Sequence, residues 1–265
     1  VCSVTDLLNP IMKLLIKSVL LLKGEKVTLK NNMIRFKDTI KNKFALEKVS
    51  IGRDDIAFLQ YTGGTTGKSK AAVLTHNNLL SNIDQVYIWI KNYVSEGNEI
   101  ILTALPLYHI FSLTVNCLTF FKLGAENLLI TNPRDIKRFV NTLKKNKFTV
   151  VTGVNTLFNL LISNSDFKKI DFKKLKFAVG GGMAVLKDTA EKWKEITGTH
   201  IIQGYGLTET SPVIAINIIT DKYNGFIGLP MPSTEISIRN DNEKELQIDN
   251  EGELCVKGPQ VMTEY

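Results

Sequence analysis

This sequence contains little cysteine, histidine or tryptophan, and its hydrophobic runs are short. Its 265 residues include three cysteines and three histidines, which lie far apart without any C-x-x-C pair. This scatter argues against a disulfide framework and against a structural zinc site, and it indicates a reducing compartment. We therefore expect a cytoplasmic protein. The dispersed residues are Cys2, Cys117, Cys255, His76, His109 and His200.

The apolar run IMKLLIKSVLLL, residues 11–22, is shorter than the roughly 20 residues that a membrane-spanning helix needs. Lys13 and Lys17 interrupt the run and share one face of a helix at i, i+4 spacing. Two interpretations stay open: a basic amphipathic helix that lies on a membrane surface, and ordinary packing against the domain, which we favour. We expect no signal peptide.

The composition is that of a folded chain with a basic surface. Hydrophobic residues make up 44% and charged residues 22%, enough for one large or two modest domains. The net charge of +7 favours anionic ligands or a membrane surface. The densest basic run is FKKIDFKKLKF, residues 167–177, which we interpret as a solvated turn leading into a strand. We expect no nucleic-acid partner.

Strand and helix signals alternate from Ile56 onward, which predicts an α/β fold with a mostly parallel sheet and flanking helices. The predicted strands are IAFLQYT, AAVLTH, EIILTALP, ENLLIT, FTVVTGV, LKFAVGG and HIIQ. The predicted helices are HNNLLSNIDQVYIWIKNYV with Thr75 as its cap, FSLTVNCLTFFKLG, the proline-started PRDIKRFVNTLKKN, NTLFNLLIS and AVLKDTAEKWKEITG.

After Pro230 the sequence pattern changes to short predicted strands with alternating polarity, EISIRN, ELQID and GELCVKG. We therefore predict three regions. Residues 1–55 form a partial N-terminal region, residues 56–230 form an α/β core, and residues 231–265 begin a small β subdomain.

The stretch LQYTGGTTGKSKAAVLTH, residues 59–76, places small polar residues between two predicted strands. Glycine and threonine together present backbone N–H and hydroxyl donors, which suit phosphate oxygens. The end of the loop imitates a Walker A motif, but Thr62 stands where that motif needs its first glycine, and a strand follows. This spacing disfavours a P-loop NTPase. A plain glycine-rich hairpin leaves the threonines and lysines unexplained.

The loop TGGTTGKSK resembles the phosphate-binding loop of the AMP-forming acyl-CoA synthetases, in the adenylate-forming superfamily. Three more motifs follow in that family's order: PLYHIF at 106–111, GYGLTET at 204–210 and GELCVKGP at 252–259. Intervening segments such as TGVNTLFN are most similar to bacterial long-chain fatty-acid CoA ligases. The resemblance covers residues 56–265, and it implies that the core of residues 56–230 binds ATP and an acyl group. It implies ATP-dependent activation of a long-chain fatty acid to an acyl-adenylate, with Mg²⁺, followed by transfer to CoA.

The resemblance also implies roles for individual residues. Tyr205 would stack on adenine, Thr208 would contact the α-phosphate, Glu209 would hold Mg²⁺, and His109 would flank the reacting carboxylate. Each of these residues, taken singly, also fits a structural role. The implied catalytic residues are Thr208, Glu209 and His109. The implied nucleotide-binding residues are Thr62, Gly63, Gly64, Thr65, Thr66, Gly67, Lys70, Gly180, Gly181, Gly182, Gly204, Tyr205 and Gly206.

The sequence departs from the family pattern at a few positions. Ser69 and Ala71 stand where the family usually has proline (or alanine) and glycine, and Glu264 stands where a glycine normally precedes the tyrosine. The family's ribose-binding aspartate, its hinge and its C-terminal lysine lie beyond Tyr265. We therefore expect part of such a ligase, with a non-catalytic nucleotide- or acyl-binding remnant as the alternative.

Overall fold

The computed structural model describes residues 3, 5–24, 33–41, 47–62, 70–220 and 222–265. The chain forms two compact units, Val1–Ser50 and Ile51–Tyr265. The first unit contains helices α1 (Pro10–Leu22) and α2 (Phe36–Lys41). The three predicted regions, with boundaries at 55/56 and 230/231, stay predictions.

Two residues, Asn9 and Pro10, fix the start of helix α1. The Asn9 side chain accepts a hydrogen bond from the Met12 N–H, and Pro10 occupies the first helical position, where its missing N–H costs nothing. None of the side chains of α1 is buried within the fold. Among the described residues, no helix has both the length and the apolar character needed to cross a bilayer.

The second unit opens with an antiparallel hairpin of β1 (Ile56–Thr62) and β2 (Lys70–Thr75). Helix α3 (His76–Ile90) follows β2 without a linker because Thr75 caps it, as predicted. The Asn78 N–H donates to the Thr75 hydroxyl, and the Asn78 side chain accepts from the Thr75 N–H. The hairpin and α3 thus hold both ends of the predicted phosphate loop.

A seven-stranded sheet forms the centre of the second unit, in the order β4-β3-β5-β6-β7-β8-β9. The strands from β4 to β7 are parallel, and β8 and β9 add to them antiparallel. This confirms the predicted α/β class. The strand bounds are β3 Ile100–Thr103, β4 Glu126–Leu129, β5 Val150–Gly153, β6 Phe177–Gly180, β7 Ile201–Gly206, β8 Val213–Ile216 and β9 Leu229–Pro230.

The helices between these strands match the predicted order, with two corrections. The segment Ser112–Thr119 is a π-helix, which continues into the short α4 (Phe120–Lys122). Helix α5 (Ile136–Lys145) does not start at Pro133, because the Asp135 side chain accepts from the Arg138 N–H and caps it there. The others are α6 Asn155–Ile162, α7 Lys187–Thr197 and the 3₁₀ turns Phe167–Lys169 and Thr208–Thr210.

The last part of the chain forms a separate two-stranded sheet of β10 (Glu235–Arg239) and β11 (Glu253–Lys257). The predicted strand ELQID is wrong, because Glu245 makes only an isolated bridge to Arg239 and the following residues turn back.

Two hydrophobic cores cover the two faces of the main sheet. One core packs Phe139, Phe158 and Trp193, from α5, α6 and α7, against alternate strand residues such as Ala178. The other packs α3 and the π-helix against the opposite face. Because successive residues of a strand point to opposite faces, both layers draw on the same strands.

The phenylalanines of the basic run at residues 167–177 turn inward, toward both cores. Phe167 is buried in the first core, where the centre of the Phe172 ring lies 5.0 Å from its own, and Phe177 is buried in the second core. The lysines between them stay exposed. The interpretation as a solvated turn leading into β6 is therefore confirmed, and the rings are not offered for stacking on bases.

An ion pair fixes the start of β3 to the start of β6. The Glu99 side chain is fully buried, and it accepts from Lys176 Nζ and from the Ser95 N–H at 2.5 and 2.6 Å. Burial raises the pKa of this carboxyl, but the hydrogen bonds from Lys176, Thr149 and Ser95 outweigh burial and hold the pKa below its usual value of 4.5.

We expect Lys176→Met to destabilise the fold by about 2 kcal/mol at pH 7, because it leaves a buried carboxylate without its cation. A lowered folded-state pKa stabilises the fold above pH 4.5, and that stability is lost as the pH falls through the folded value. The difference from wild type should therefore shrink in acid. Urea unfolding followed by fluorescence of the buried Trp193 measures it, with Lys174→Met as an exposed control. A constant difference between pH 7 and pH 3 would contradict the prediction.

Candidate functional site

A cavity of about 260 Å³ opens where the parallel strands end. Ligands of open α/β sheets bind beyond the carboxyl ends of the strands, and this cavity lies there, beside the ends of β6 and β7 and the end of β1. Predicted site residues from separate motifs meet at its rim. They are Thr62, His109, Gly181, Gly182, Gly204, Tyr205, Gly206, Thr208 and Glu209.

The remaining predicted residues lie elsewhere. Gly63, Gly64, Thr65, Thr66 and Gly67 fall outside the described residues. Lys70 begins β2 directly after that loop, and Gly180 is buried at the end of β6. Neither Lys70 nor Gly180 lines the cavity. The structure therefore places residues of the PLYHIF and GYGLTET motifs together at the rim. Thr62, where the phosphate loop begins, lies there too.

The three consecutive glycines serve three different purposes. A Cβ on Gly180 would lie 2.3 Å from Val185 Cγ2, so this glycine allows Val185, in the segment before α7, to pack closely on the sheet. A Cβ on Gly181 would lie 3.1 Å from the Phe111 ring, which closes on the backbone at the cavity. Gly182 has a left-handed backbone with φ of +73°, which a side chain disfavours. Only Gly181 and Gly182 border the cavity.

The motif GYGLTET is a strand end followed by a compact turn. Gly204, Tyr205 and Gly206 belong to β7 and pair with β8, and the Leu207 N–H donates to the Pro212 carbonyl at 3.1 Å. A Cβ on Gly206 would lie 1.9 Å from that same carbonyl oxygen, so only glycine fits at this position. The turn holds Thr208 and Glu209 at the rim, half-buried.

Glu209 and Lys70 meet through Tyr265. The Tyr265 hydroxyl donates to Glu209 Oε1 at 2.8 Å, and Lys70 Nζ lies 5.1 Å from the centre of the Tyr265 ring. The hydrogen bond to the carboxylate raises the pKa of the Tyr265 hydroxyl. Glu264, where the family usually has glycine, accepts through its carbonyl from the Val73 N–H.

His109 lies at the rim, at the end of the exposed half of the motif PLYHIF, before the buried Ile110 and Phe111. Its Nδ1 accepts from the Phe111 N–H at 3.2 Å, so the neutral ring carries its proton on Nε2 and offers a donor there. The Gln60 side chain donates to the Tyr108 carbonyl at 2.8 Å, which ties this motif to strand β1 of the hairpin.

The interior of the cavity is apolar. It follows the sheet face from Phe177, at the start of β6, to the glycines beyond its end, under α3 and the π-helix. Its lining is aliphatic and aromatic except for the Thr152 hydroxyl, which donates to Asn116 and is therefore satisfied. The apolar lining comprises Val86, Ile90, Phe111, Val115, Phe120, Val150, Phe177, Val179, Val213 and Ile216. Such a cavity suits a hydrocarbon chain whose polar end reaches the rim.

Sequence reasoning missed a buried polar network that holds the rim in place. The Asn82 side chain on α3 bonds both the N–H and the carbonyl of Val213, directly after the GYGLTET turn. It also donates to Gln85, which donates to the Pro232 carbonyl and to Gln260. The sequence does contain a signal for this network, because Asn78, Asn82 and Gln85 interrupt the buried apolar face of helix α3.

Glu209 is the described residue that fits Mg²⁺. Among the described residues no cluster of three or more histidine, cysteine or acidic side chains could hold a metal ion alone. Mg²⁺ commonly takes one or two carboxylates together with phosphate oxygens and water. The Glu209 carboxylate stands at the rim with Oε1 tied to Tyr265, and no hydrogen bond from a described residue involves Oε2.

Comparison with known proteins agrees with this geometry. Residues 6–265 match the family described as "AMP-binding enzyme". The chain is 49% identical to the long-chain-fatty-acid–CoA ligase of Escherichia coli O6:H1 over 235 residues, which cover 88% of this chain and 42% of the relative. It is 52% identical to the ligase of the same name from Yersinia pestis over 219 residues, 82% of this chain and 39% of the relative.

A solved structure shares the fold. ATP-bound MatB from Rhodopseudomonas palustris is 28% identical and superposes with a TM-score of 0.70, covering 83% of this chain and 42% of that one. The chain thus spans about two fifths of the length of the proteins to which it is similar.

Proposed function

Because this chain belongs to the AMP-binding enzyme family, we propose that it is part of an ATP-dependent long-chain fatty acid–CoA ligase. The observation that carries the proposal is a cavity that joins an apolar interior to the polar rim of the GYGLTET turn. A fatty acid needs both parts, because its chain must leave water and its carboxylate must meet the α-phosphate of ATP.

We assign the rim residues to the nucleotide. Tyr205 stacks on the adenine, and Gly181 and Gly182 let the flat ring approach the backbone. Thr208 donates its hydroxyl to the α-phosphate. The residues from Thr62 to Gly67 hold the β- and γ-phosphates, with Lys70 adding positive charge. His109 would donate from Nε2 to the carboxylate of the acyl substrate, at the mouth of the apolar interior.

Glu209 would hold Mg²⁺ through the oxygen that Tyr265 leaves free. When bound, the ion neutralises charge on the phosphates and on the leaving pyrophosphate.

We also propose that CoA accepts the acyl group, that the protein is cytoplasmic, and that it makes peripheral contact with the cytoplasmic face of the membrane. The exposed apolar side chains of α1, with Lys13 and Lys17 among them, support such contact.

Ligand binding by the purified chain tests the proposal. Titration calorimetry with ATP plus Mg²⁺, and separately with palmitate, should give saturable binding of both ligands at one site each. Binding of both ligands by this chain, together with no acyl-CoA formation by the complete protein that contains it, would favour the alternative of a non-catalytic nucleotide- and acyl-binding domain. If the chain bound neither ATP nor palmitate, the proposal would be overturned.

We expect Val115→Phe to shorten the acyl chains that the site accepts. Val115 lines the apolar interior from the π-helix, so a larger side chain fills the space that a long hydrocarbon needs. Palmitate should bind about tenfold more weakly, which corresponds to about two buried methylenes, while Mg·ATP binding stays unchanged. The same substitution at Val140, buried in the opposite core, is the control. Equal losses in both variants would contradict this prediction.

A further inference from the structure

We infer that Tyr265 is a positioning residue of the nucleotide site, which holds the Glu209 carboxylate with its hydroxyl and the Lys70 ammonium with its ring. The inference rests on the proposed function, since it concerns the two charged groups that are assigned to Mg²⁺ and to the phosphates. It adds a residue that none of the four sequence motifs contains.

The contacts of Tyr265 connect parts of the chain that are distant in sequence. Its hydroxyl lies 2.8 Å from Glu209 Oε1, in the turn after β7. Its ring centre lies 5.1 Å from Lys70 Nζ, at the start of β2. A positive charge at this distance from an aromatic ring is attracted to it. One side chain therefore sets the separation between the cation beside the phosphate loop and the anion at the rim.

The backbone before Tyr265 explains how the ring reaches this position. The Met262 N–H donates to the Glu209 carbonyl at 2.7 Å, so the segment is tied to the same turn that carries the carboxylate. The Glu264 carbonyl accepts from the Val73 N–H at 2.9 Å, and the Thr263 N–H donates to the Val73 carbonyl at 3.3 Å. These three bonds attach the segment to β2 and to the turn at once.

Tyr265 should restrict the motion of both the Glu209 carboxylate and the Lys70 ammonium. A carboxylate with one oxygen held by a hydroxyl cannot rotate freely, so its other oxygen is oriented before a metal arrives. Lys70 is a long and flexible side chain, and the ring limits the volume in which its charge moves. The hydroxyl should therefore act on the metal, whereas the ring should act on the phosphates.

Tyr87 provides a matched control within the same chain. Its hydroxyl donates to Glu96 Oε1 at 2.8 Å, and Lys122 Nζ lies 5.0 Å from its ring centre. This second tyrosine, on α3, makes the same pair of contacts, but its partner Glu96 does not line the cavity, whereas Glu209 does. Any general cost of removing such a tyrosine should appear equally at both positions.

The experiment measures the affinity of the 265-residue chain for ATP with Mg²⁺ and for ATP in excess EDTA. Tyr265→Phe should weaken Mg·ATP binding about tenfold, the size expected for a lost hydrogen bond to a charged group, and leave metal-free ATP binding unchanged. Tyr265→Leu should weaken binding under both conditions, because Lys70 then loses the ring. Tyr87→Phe should change neither affinity. Thermal unfolding midpoints of all variants verify that each is folded.

The outcomes separate the inference from the proposed function. If the wild-type chain binds Mg·ATP and Tyr265→Phe binds it equally well, Tyr265 does not position Glu209. If Tyr265→Phe loses the same factor with and without Mg²⁺, its effect does not pass through the metal and the inference also fails. If the wild-type chain binds no ATP under either condition, the nucleotide site itself is wrong and the inference is overturned together with it.

Discussion

Glu209→Gln should slow fatty-acid-dependent exchange of pyrophosphate into ATP on the order of a hundredfold in the complete protein that contains this chain. Glutamine keeps the shape of the side chain and the hydrogen bond from Tyr265, but it removes the negative charge that a hard cation requires. A missing preorganised charge in a polar transition state commonly costs a factor of this size.

The dependence on metal concentration makes this experiment specific. The Mg²⁺ concentration that gives half-maximal exchange should rise in Glu209→Gln, since the weaker ligand needs more metal. Glu191→Gln, on the exposed side of α7, is the control and should exchange at the wild-type rate. An unchanged rate together with an unchanged Mg²⁺ requirement in Glu209→Gln would remove Glu209 from its assigned role.

Gly206→Ala should destabilise the second unit by about 3 kcal/mol and should abolish ATP binding at millimolar concentrations. The added Cβ would stand 1.9 Å from the Pro212 carbonyl oxygen, and 2.7 Å from the carbonyl carbon. Backbone atoms cannot rotate away as a side chain can, so the strands β7 and β8 must separate where Thr208 and Glu209 are held.

Gly204 in the same motif provides the control for this experiment. A Cβ on Gly204 would meet Val179 Cγ1 at 3.6 Å, an ordinary contact, so Gly204→Ala should unfold close to the wild-type urea midpoint. Chemical denaturation gives the stability of both variants, and equilibrium dialysis with labelled ATP gives the affinity. A Gly206→Ala protein as stable as Gly204→Ala would show that the turn can open without cost.

The sequence carried most of the fold because its local signals agree with one another. The alternation of strands and helices and the Thr75 cap could be read from spacing and residue type. The extension of β7 to Gly206 and the antiparallel strand β8 were not predicted. The π-helix at Ser112–Thr119 could not, because an apolar segment does not reveal which carbonyl each N–H will select. Helix α5 starts at Ile136, three residues after the predicted Pro133, because Asp135 caps it there.

Part of the candidate site could likewise be predicted from the sequence, and part could not. The motifs predicted which residues would meet, since a phosphate loop and a GYGLTET turn must lie at the same end of a parallel sheet. They did not reveal the contacts of Tyr265 with Glu209 and of Asn82 with Val213, which join residues 56 and 131 positions apart in the chain. The pairing of such segments is decided by how the second unit packs as a whole, and no local pattern records it.

Alternate residues of the central strands belong to two different surfaces. Val150, Phe177 and Val179 face the cavity, whereas Val151 and Ala178, their neighbours in the same strands, face the core beneath α5, α6 and α7. A substitution at Phe177 or Val179 therefore changes the shape of the cavity directly. A substitution at Val151 or Ala178 changes the packing under the helices and leaves the residues that line the cavity in place.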